Sequence, residues 1–313
     1  RGTGLNPSLL GVVDLRQQLS SIPGRREAAT VKGKSLLAIA VERVRGQQPL
    51  PLSGQGVERQ ALIIGGGLCG LVAALSLAEQ GFDAHLVERS SELGGNLKDI
   101  YATLEGSDPQ GLLKELVKRA EESPLIHLYK EAEVMEASGY AGNFVVTLRG
   151  SDSVLHHLKV GAIVVATGAQ EHRPTEYLYG ESEQVITQRE LEGRLARGEL
   201  DPQELSSVVM IQCVGSRDRE RPYCSRICCS QALKNALSLK EKNPAVDILV
   251  LYRDVMSYGF REEYYTRARE KGVLFINYDV DHKPEVRAKG KALEVQVIDP
   301  VLGGTLSLEP DLV

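Results

Sequence analysis

Several features of membrane, secreted and nucleic-acid-binding proteins are missing from this sequence of 313 residues. It contains no run of about 18 apolar residues, so we expect no direct membrane insertion. Its first residues, RGTGLNPSLLGVVD, lack the basic and then apolar layout of a secretion signal, so we expect a cytoplasmic location. The formal net charge of −5 gives no electrostatic reason for binding nucleic acid, and we expect no such partner.

Cysteine is scarce, with five residues, but four of them lie within 17 positions. Secreted disulfide scaffolds spread their cysteines to connect distant segments, whereas this crowding favours a metal site. With 25% charged and 42% hydrophobic residues, the sequence is that of a globular protein long enough for two domains. It starts with Arg1 and ends within the strand-like TLSLEPDLV, so we expect an incomplete chain.

Hydrophobic patterns predict an α/β fold built on two strand–helix–strand units with parallel strands. The first unit runs from the strand ALII at Ala61 through a glycine-rich turn and a helix over 71–80 to the strand AHLVE. The second runs from VVMIQ, after Ser207, through a cysteine-rich loop and a helix over 230–240 to VDILVLY. Further predicted elements are helices over 35–45, 110–123 and 262–271, strands over 125–128, 143–149 and 162–166, the strand VLFINY, the hairpin KALEVQVID with GGTLSLE, and a linker, QQPLPLSGQG.

The glycine-rich turn matches the G-x-G-x-x-G pattern of dinucleotide-binding folds at Gly65, Gly67 and Gly70. Gly65 allows a tight turn, Gly67 allows a pyrophosphate to approach the backbone, and Gly70 allows close packing of helix on strand. The helix start then offers free N–H groups and a partial positive charge to the diphosphate. Glu88, 18 positions after Gly70, can accept hydrogen bonds from ribose hydroxyls. The spacing alone leaves a purely structural turn as an alternative.

Two further segments make the chain resemble the two-dinucleotide-binding-domain flavoproteins, the class that includes glutathione reductase-like enzymes. These segments are Arg89 with the following E-L-G-G, and I-V-V-A-T-G at 163–168. The resemblance implies a Rossmann-like flavoprotein fold with FAD rather than NAD at this site. It assigns Gly94 and Gly95 to the flavin side and Thr167 and Gly168 to the edge that closes the fold beside it.

The sequence differs in one respect from the disulfide reductases of this class. Those enzymes carry a redox-active cysteine pair shortly after the glycine pair, and GGNLKDIYATLEG has none. A flavin–disulfide mechanism is therefore excluded for this segment. Cys69 lies inside the glycine turn, where we expect a small buried side chain without chemistry.

The other four cysteines, Cys213, Cys224, Cys228 and Cys229, form the pattern C-x10-C-x3-C-C. This spacing is neither that of zinc ribbons nor that of bacterial ferredoxins, but soft thiolate ligands select zinc or iron–sulfur clusters. Adjacent cysteines at a helix start diverge by about 100°, which favours two irons of a 4Fe–4S cluster over one zinc ion. Zinc, a redox disulfide and free thiols remain alternatives.

The cysteine loop follows strand VVMIQ, where a dinucleotide domain would carry its glycines for NAD(P)H. We therefore expect the cluster to occupy the nicotinamide crevice and to exchange single electrons with the flavin. Arginine side chains crowd the loop and would offset the charge of bound thiolates; they are Arg217, Arg219, Arg221 and Arg226.

The combination of G-G-G-L-C-G, E-R-S-S-E-L-G-G and C-V-G-S-R-D-x-x-R-P-Y-C-S-R-I-C-C-x-x-A-x-K resembles the flavin-carrying A subunit of heterodisulfide reductases and related bacterial proteins. The similarity extends from about residue 35 to the C-terminus. It implies an oxidoreductase subunit with FAD, and a 4Fe–4S cluster on the four cysteines of the loop. It also implies that Lys234 lies near the flavin N5 as a catalytic residue, where a cation stabilises reduced flavin.

The resemblance further implies redox partners, namely B and C subunits of heterodisulfide reductases, hydrogenase or ferredoxin-type proteins, and it leaves a homodimer open. Methanogen relatives use FAD to split electron pairs between two branches. This chain lacks their ferredoxin-type cysteine runs, including an insertion between Gly95 and Ser151, which favours a simpler electron relay.

We therefore predict four segments: a helical segment and linker over 1–58, an incomplete FAD-binding domain over 59–190, an inserted Rossmann-like domain with the cysteines over 191–300, and a return towards the FAD domain over 301–313. Two other functions stay open. One is an NAD(P)H-dependent flavin oxidoreductase with a structural zinc site, and the other is a redox-sensing or structural module without activity.

Overall fold

The computed structural model describes residues 6–20, 26–50, 56–151 and 153–313. The chain divides into two compact units, Arg1–Gly56 and Val57–Val313. The smaller unit contains helices α1 (Leu15–Ser20) and α2 (Arg26–Arg45). Helix α2 begins well before the predicted Ser35, because its exposed first half, REAATVKGK, lacks the apolar spacing that reveals a helix. The predicted linker over 47–56 lies partly outside the described residues.

The larger unit contains five α-helices and thirteen strands among the described residues. The helices are α3 (Leu68–Glu79), α4 (Pro109–Glu122), α5 (Gln188–Arg197), α6 (Cys228–Lys242) and α7 (Glu262–Glu270). The strands are β1 (Gln60–Ile64), β2 (Asp83–Val87), β3 (Ile126–Tyr129), β4 (Glu133–Tyr140), β5 (Asn143–Arg149), β6 (Leu155–Val160), β7 (Ala162–Val165), β8 (Ser207–Ile211), β9 (Asp247–Tyr252), β10 (Leu274–Asn277), β11 (Glu285–Lys289), β12 (Ala292–Asp299) and β13 (Gly304–Leu308).

The first half of this unit is a parallel sheet in the order β3-β2-β1-β7, covered on both faces. Successive residues of a strand point to opposite faces. Ile63 and Leu86 accordingly pack with residues of helices α3 and α4. Leu62 and Val87 pack with residues of the antiparallel sheet β4-β5-β6. The strands are buried on both faces, which explains the continuous apolar run of ALII.

The second half repeats this plan with the parallel sheet β10-β9-β8. Val208 and Val250 pack with residues of helix α6, among them Leu233. Val209 and Leu251 pack with Val295 and other residues of the antiparallel sheet β11-β12-β13. The predicted α/β fold with parallel sheets is therefore confirmed. Residues after β13 run beside β8, where the amide of Val209 donates to the carbonyl oxygen of Leu312 at 3.0 Å.

The sequence patterns missed five elements, namely α1, β4, β6, α5 and β11. Strand β4 is almost entirely exposed, so its sequence EVMEASGY shows no alternation of apolar and polar residues. Helix α5 (QRELEGRLAR) is too polar to show an apolar stripe. The sequence features that indicate this helix are at its two ends. A capping box of Thr187 with Glu190 begins it, and Gly198 in the left-handed conformation ends it. In the described parts of the chain, no helix is both long and apolar enough to cross a membrane.

Candidate functional site

The glycine turn connects β1 to α3, and its backbone leaves no room for side chains at two positions. Gly65 has a φ of +110°, and a Cβ there would lie 2.3 Å from the carbonyl oxygen of Ala166. A Cβ on Gly70 would lie 1.8 Å from the carbonyl oxygen of Gly65. Both contacts are far below normal van der Waals distances, so the close packing of helix and turn requires glycine at both positions.

Gly67 lies beside the second glycine pair. It forms an isolated parallel bridge with Gly94, and the amide of Gly94 donates to the carbonyl oxygen of Gly66 at 2.8 Å. A Cβ on Gly95 would lie 3.1 Å from the Cα of Gly67. Gly67 is also the N-cap of α3 and provides no side chain to bind the first helical N–H groups. The first N–H groups of α3 are therefore not bound by a capping side chain and can bind an anion such as a pyrophosphate.

Glu88 directly follows β2 and contacts the same turn. Its Oε2 accepts a hydrogen bond from the amide of Gly66 at 2.7 Å, and its Oε1 accepts from the amide and hydroxyl of Ser90, both at 2.8 Å. Partial burial acts to raise the pKa of Glu88, but these hydrogen bonds and the charge of Arg89 outweigh it and hold the pKa below its usual value. The carboxylate is thus ionised and fixed beside the turn.

Thr167 and Gly168 follow β7 and complete the arrangement. A Cβ on Gly65 would lie 3.1 Å from the Cα of Thr167, and Gly168 has a φ of +66°. Nearby, the Nδ2 of Asn96 donates to the carbonyl oxygen of Ala169 at 2.8 Å, which connects the second glycine pair to this edge. The residues assigned to FAD from the sequence thus lie together at the carboxyl ends of β1, β2 and β7, the usual ligand-binding edge of parallel sheets.

The expectation for Cys69 was wrong. Its side chain is exposed, whereas its neighbours Gly70 and Leu71 are buried. Cys69 is the second residue of α3, and this helix position faces away from the β-sheet. Sequence position inside the turn therefore does not imply burial of the side chain.

The other cysteines lie at the carboxyl end of β8 and the start of α6. Cys213 lies two residues after β8 with a φ of +64°, and Cys228 and Cys229 are the first two residues of α6. The thiol of Cys229 donates to the carbonyl oxygen of Asp254 at 3.6 Å. Cys224 lies in the loop and accepts from the amide of Arg226 at 3.3 Å.

Three of these thiols influence one another. A hydrogen bond with Cys229 lowers the pKa of Cys228 and raises that of Cys229. Burial, and then the neighbouring Cys228, raise the pKa of Cys213. Across the described residues, however, no group of three or more His, Cys, Asp or Glu side chains is arranged to hold a metal ion.

Several residues with unpaired polar atoms lie close to these cysteines in sequence. Four buried side-chain polar atoms of the described residues have no hydrogen-bond partner, and three of them belong to Gln212, Arg217 and Ser230. Such atoms are rare in folded proteins, and where they occur they commonly face a bound ion or water. Soft thiols are the ligand type of a thiolate-bound cluster, although the described side chains do not form a preassembled ligand set.

Two arginines of the loop have defined partners. Arg217 donates from Nη2 to Asp254 Oδ2 at 2.6 Å, and its charge acts to lower the pKa of Cys213 against the effect of burial. Arg221 donates from Nη1 to the carbonyl oxygen of Gly215 at 3.0 Å. The charge of Arg217 is thus paired with Asp254, and the predicted role of the loop arginines beside the thiols stays a prediction.

Lys234 lies on α6 and forms a buried ion pair. Its Nζ lies 2.5 Å from Glu192 Oε2 and 3.1 Å from the carbonyl oxygen of Ala102. The side chains of Lys234 and Glu192 are only 12% and 6% exposed. Glu192 Oε1 also accepts from the amides of Tyr101 and Ala102 at 2.7 and 3.1 Å. The pair therefore connects the cysteine-bearing helix to α5 and to the segment that follows Gly94 and Gly95.

Sequence reasoning missed Glu192, because in a polar helix nothing distinguishes a buried glutamate from exposed ones. The capping box at Thr187 would have predicted α5, but not which of its faces is buried.

Comparisons with known proteins agree with this geometry. Residues 63–111 match the family described as NAD(P)-binding Rossmann-like domain. The first of two iron-sulfur A subunits of the CoB–CoM heterodisulfide reductase from Methanopyrus kandleri is 31% identical over 99% of this chain. The corresponding protein of Methanocaldococcus jannaschii is also 31% identical over 99% of the chain. Over nearly its whole length, the chain is therefore similar to the A subunits of heterodisulfide reductases. It spans 61% of the length of each of these relatives.

The alignments of this chain with the two relatives cover 412 and 406 positions, more than its own 313 residues. The relatives therefore have residues within the matched region that have no counterpart here. Among solved structures, thioredoxin reductases of T. acidophilum and Lactococcus lactis superpose with TM-scores of 0.51 and 0.52, each at 17% identity. They cover 82% and 81% of this chain, and 76% and 75% of their own chains are matched. This likeness shows a shared fold.

Proposed function

We propose that this chain is the FAD- and iron–sulfur-binding part of an oxidoreductase subunit that relays electrons between its flavin and redox partner proteins. The observation that carries the proposal is the position of the cysteines. They lie at the carboxyl end of β8, in the crevice where a second dinucleotide-binding half would hold NAD(P)H. When bound, FAD supplies one- and two-electron redox chemistry, and a 4Fe–4S cluster supplies one-electron chemistry.

The proposed FAD site uses the residues around the glycine turn. The backbone of Gly65, Gly67 and Gly70 allows the pyrophosphate to approach closely. Glu88, with Arg89 beside it, accepts hydrogen bonds from the ribose hydroxyls. Glu88 is supported by its fixed, ionised carboxylate. Gly94 and Gly95 approach Gly67 within contact distance and would border the flavin side, with Thr167 and Gly168 closing the fold beside it.

The proposed cluster ligands are Cys213, Cys224, Cys228 and Cys229. Three of these thiols already interact, and the unpaired donors around them favour an anionic occupant. Lys234 lies five residues after Cys229 on helix α6. Its Nζ donates to the carbonyl oxygen of Ala102, in the segment that follows Gly95. As the proposed catalytic residue, its ammonium group would hold positive charge beside reduced flavin.

We propose the domain division predicted from the sequence, in which residues 59–190 bind FAD and residues 191–300 carry the cysteines. Each of these two regions contains one parallel sheet, so each sheet would hold one cofactor. The relatives' names describe subunits of heterodisulfide reductases, and some include ferredoxin. We propose redox subunits of that kind as partners, and a cytoplasmic location.

The proposal is tested by anaerobic purification followed by assays of iron, acid-labile sulfide, zinc and flavin. About four irons and one FAD per chain are expected. Zinc in place of iron would favour an NAD(P)H-dependent flavoprotein, and absence of both cofactors would favour a redox-sensing or structural module. In stopped-flow mixing, NADH or NADPH is expected not to bleach the flavin; rapid bleaching by either would overturn the proposed electron route.

A further inference from the structure

The side chain of Gln212 has no assigned role, yet it lies next to Cys213 and is 3% exposed. Its backbone is fully engaged. Its amide donates to the carbonyl oxygen of Leu251 at 2.9 Å, and its own carbonyl oxygen accepts from the hydroxyl of Tyr278 at 2.6 Å. These bonds hold Gln212 rigidly at the carboxyl end of β8. Its side-chain Nε2, in contrast, is buried without any partner.

Gln212 borders a small cavity together with Cys229. The cavity measures about 10 Å³, and most of its other walls are apolar, including Ala232, Leu233 and Val250. A buried water needs about this much space but also two to four polar partners, which these walls do not offer. An unpaired amide in such a place costs about 1–3 kcal/mol. Among the residues that line this cavity, Cys229 carries a sulfur atom, and Nε2 forms no hydrogen bond to it in this structure.

We propose that Gln212 donates an N–H···S hydrogen bond to the sulfur atoms of the cysteine site and thereby raises the reduction potential of the group bound there. This inference rests on the proposed cluster. Hydrogen bonds to sulfur stabilise the more negative, reduced state of a cluster more than its oxidised state. Arg217, four residues after Cys213 in sequence, carries a second buried donor without a partner at Nη1. Gln212 is thus a positioning and tuning residue.

The test uses the full chain, loaded with cluster under anaerobic conditions, and compares Gln212→Met with the wild type. Methionine retains the length of the side chain but cannot donate. Gln203→Met is the matched control, because Gln203 lies before β8, at the opposite end of that strand from the cysteines. Iron and sulfide content is measured first. An EPR-monitored titration with dithionite then gives the reduction potential.

Loss of one such hydrogen bond is expected to shift the reduction equilibrium about tenfold towards the oxidised state, equivalent to about 59 mV for a one-electron couple. The control is expected to keep the wild-type potential. An unchanged potential in a fully loaded Gln212→Met protein would overturn the role of Gln212 and leave the proposed function intact. A wild-type chain that binds no iron would instead overturn the proposed function, and this inference with it.

If Gln212→Met does not take up the cluster, Gln212→Glu decides the question, because glutamate has the same shape but offers an acceptor. Its cluster is expected to be harder to reduce by at least the same tenfold factor. In wild-type protein carrying ¹⁵N in its glutamine side-chain amides, pulsed EPR is expected to show nitrogen coupled to the reduced cluster. A lack of coupling would count against the hydrogen bond.

Discussion

Replacing Glu192 by glutamine is expected to destabilise the larger unit of the chain. Glu192 and Lys234 form an ion pair that is almost completely buried. The glutamine can still accept hydrogen bonds from the amides of Tyr101 and Ala102 through one oxygen. Its other side-chain group no longer carries the negative charge that the ammonium of Lys234 faces. A buried cation would be left without its counter-ion.

Removing one partner of a buried ion pair typically costs about 3–5 kcal/mol, because the remaining charge stays desolvated. Here Lys234 retains one bond, to the carbonyl oxygen of Ala102, so we expect the lower end of that range, about 3 kcal/mol. The double variant Glu192→Gln with Lys234→Met removes both charges and is expected to recover part of this loss. The effects of the two single variants are therefore expected to be non-additive.

The assay is urea unfolding followed by circular dichroism. The control is Glu241→Gln, which breaks the pair of Glu241 with Arg267, whose side chains are 51% and 48% exposed. That exposed pair is expected to contribute less than about 1 kcal/mol. A loss for Glu192→Gln no larger than that of the control, or strict additivity in the double variant, would refute the reasoning that this pair is desolvated.

Three single contacts lead to further predictions. Gly70→Ala places a Cβ 1.8 Å from the carbonyl oxygen of Gly65 and is expected to abolish FAD binding, as measured by fluorescence titration, whereas Gly304→Ala, with open space around it, is expected to leave binding unchanged. Burial, followed by the charge of His127, lowers the pKa of His85 below 6.5, so the unfolded state binds this proton more readily than the folded state. The free energy of unfolding is therefore expected to fall as the pH drops below about 6.5. A His85→Gln protein whose stability changes with pH as steeply as that of the wild type and of the His282→Gln control would refute this. Cys69 is exposed beside the proposed pyrophosphate site, so bound FAD is expected to slow its alkylation several-fold in mass spectrometry, and equal rates with and without FAD would contradict that position.

The parts of the fold that sequence alone predicted are those where burial or backbone geometry restricts residue choice. The strand ALII is buried on both faces and therefore apolar throughout, and Gly65 and Gly70 cannot carry a Cβ. Constraints of this kind restrict the residue types directly and can therefore be recognised from the sequence. The same holds for the crowding of four cysteines in one loop.

The parts that the sequence did not reveal depend on contacts between distant segments. The burial of Glu192 arises because α6 and the segment after Gly95 cover it, and neither is near it in sequence. The exposure of Cys69 depends on which face of α3 meets the sheet. The unpaired Nε2 of Gln212 becomes recognisable only when its surroundings are known. Local patterns carry no information on such contacts.

The measurement that most directly tests the proposed electron relay is an anaerobic redox titration of the isolated chain, followed by visible absorption and EPR on the same samples. We predict that dithionite bleaches a flavin spectrum and also produces the EPR signal of a reduced 4Fe–4S cluster. Replacing Cys213 by alanine is expected to remove the cluster signal and to leave the flavin spectrum. A chain that shows flavin bleaching but never a cluster signal, with zinc or no metal bound, would contradict the relay.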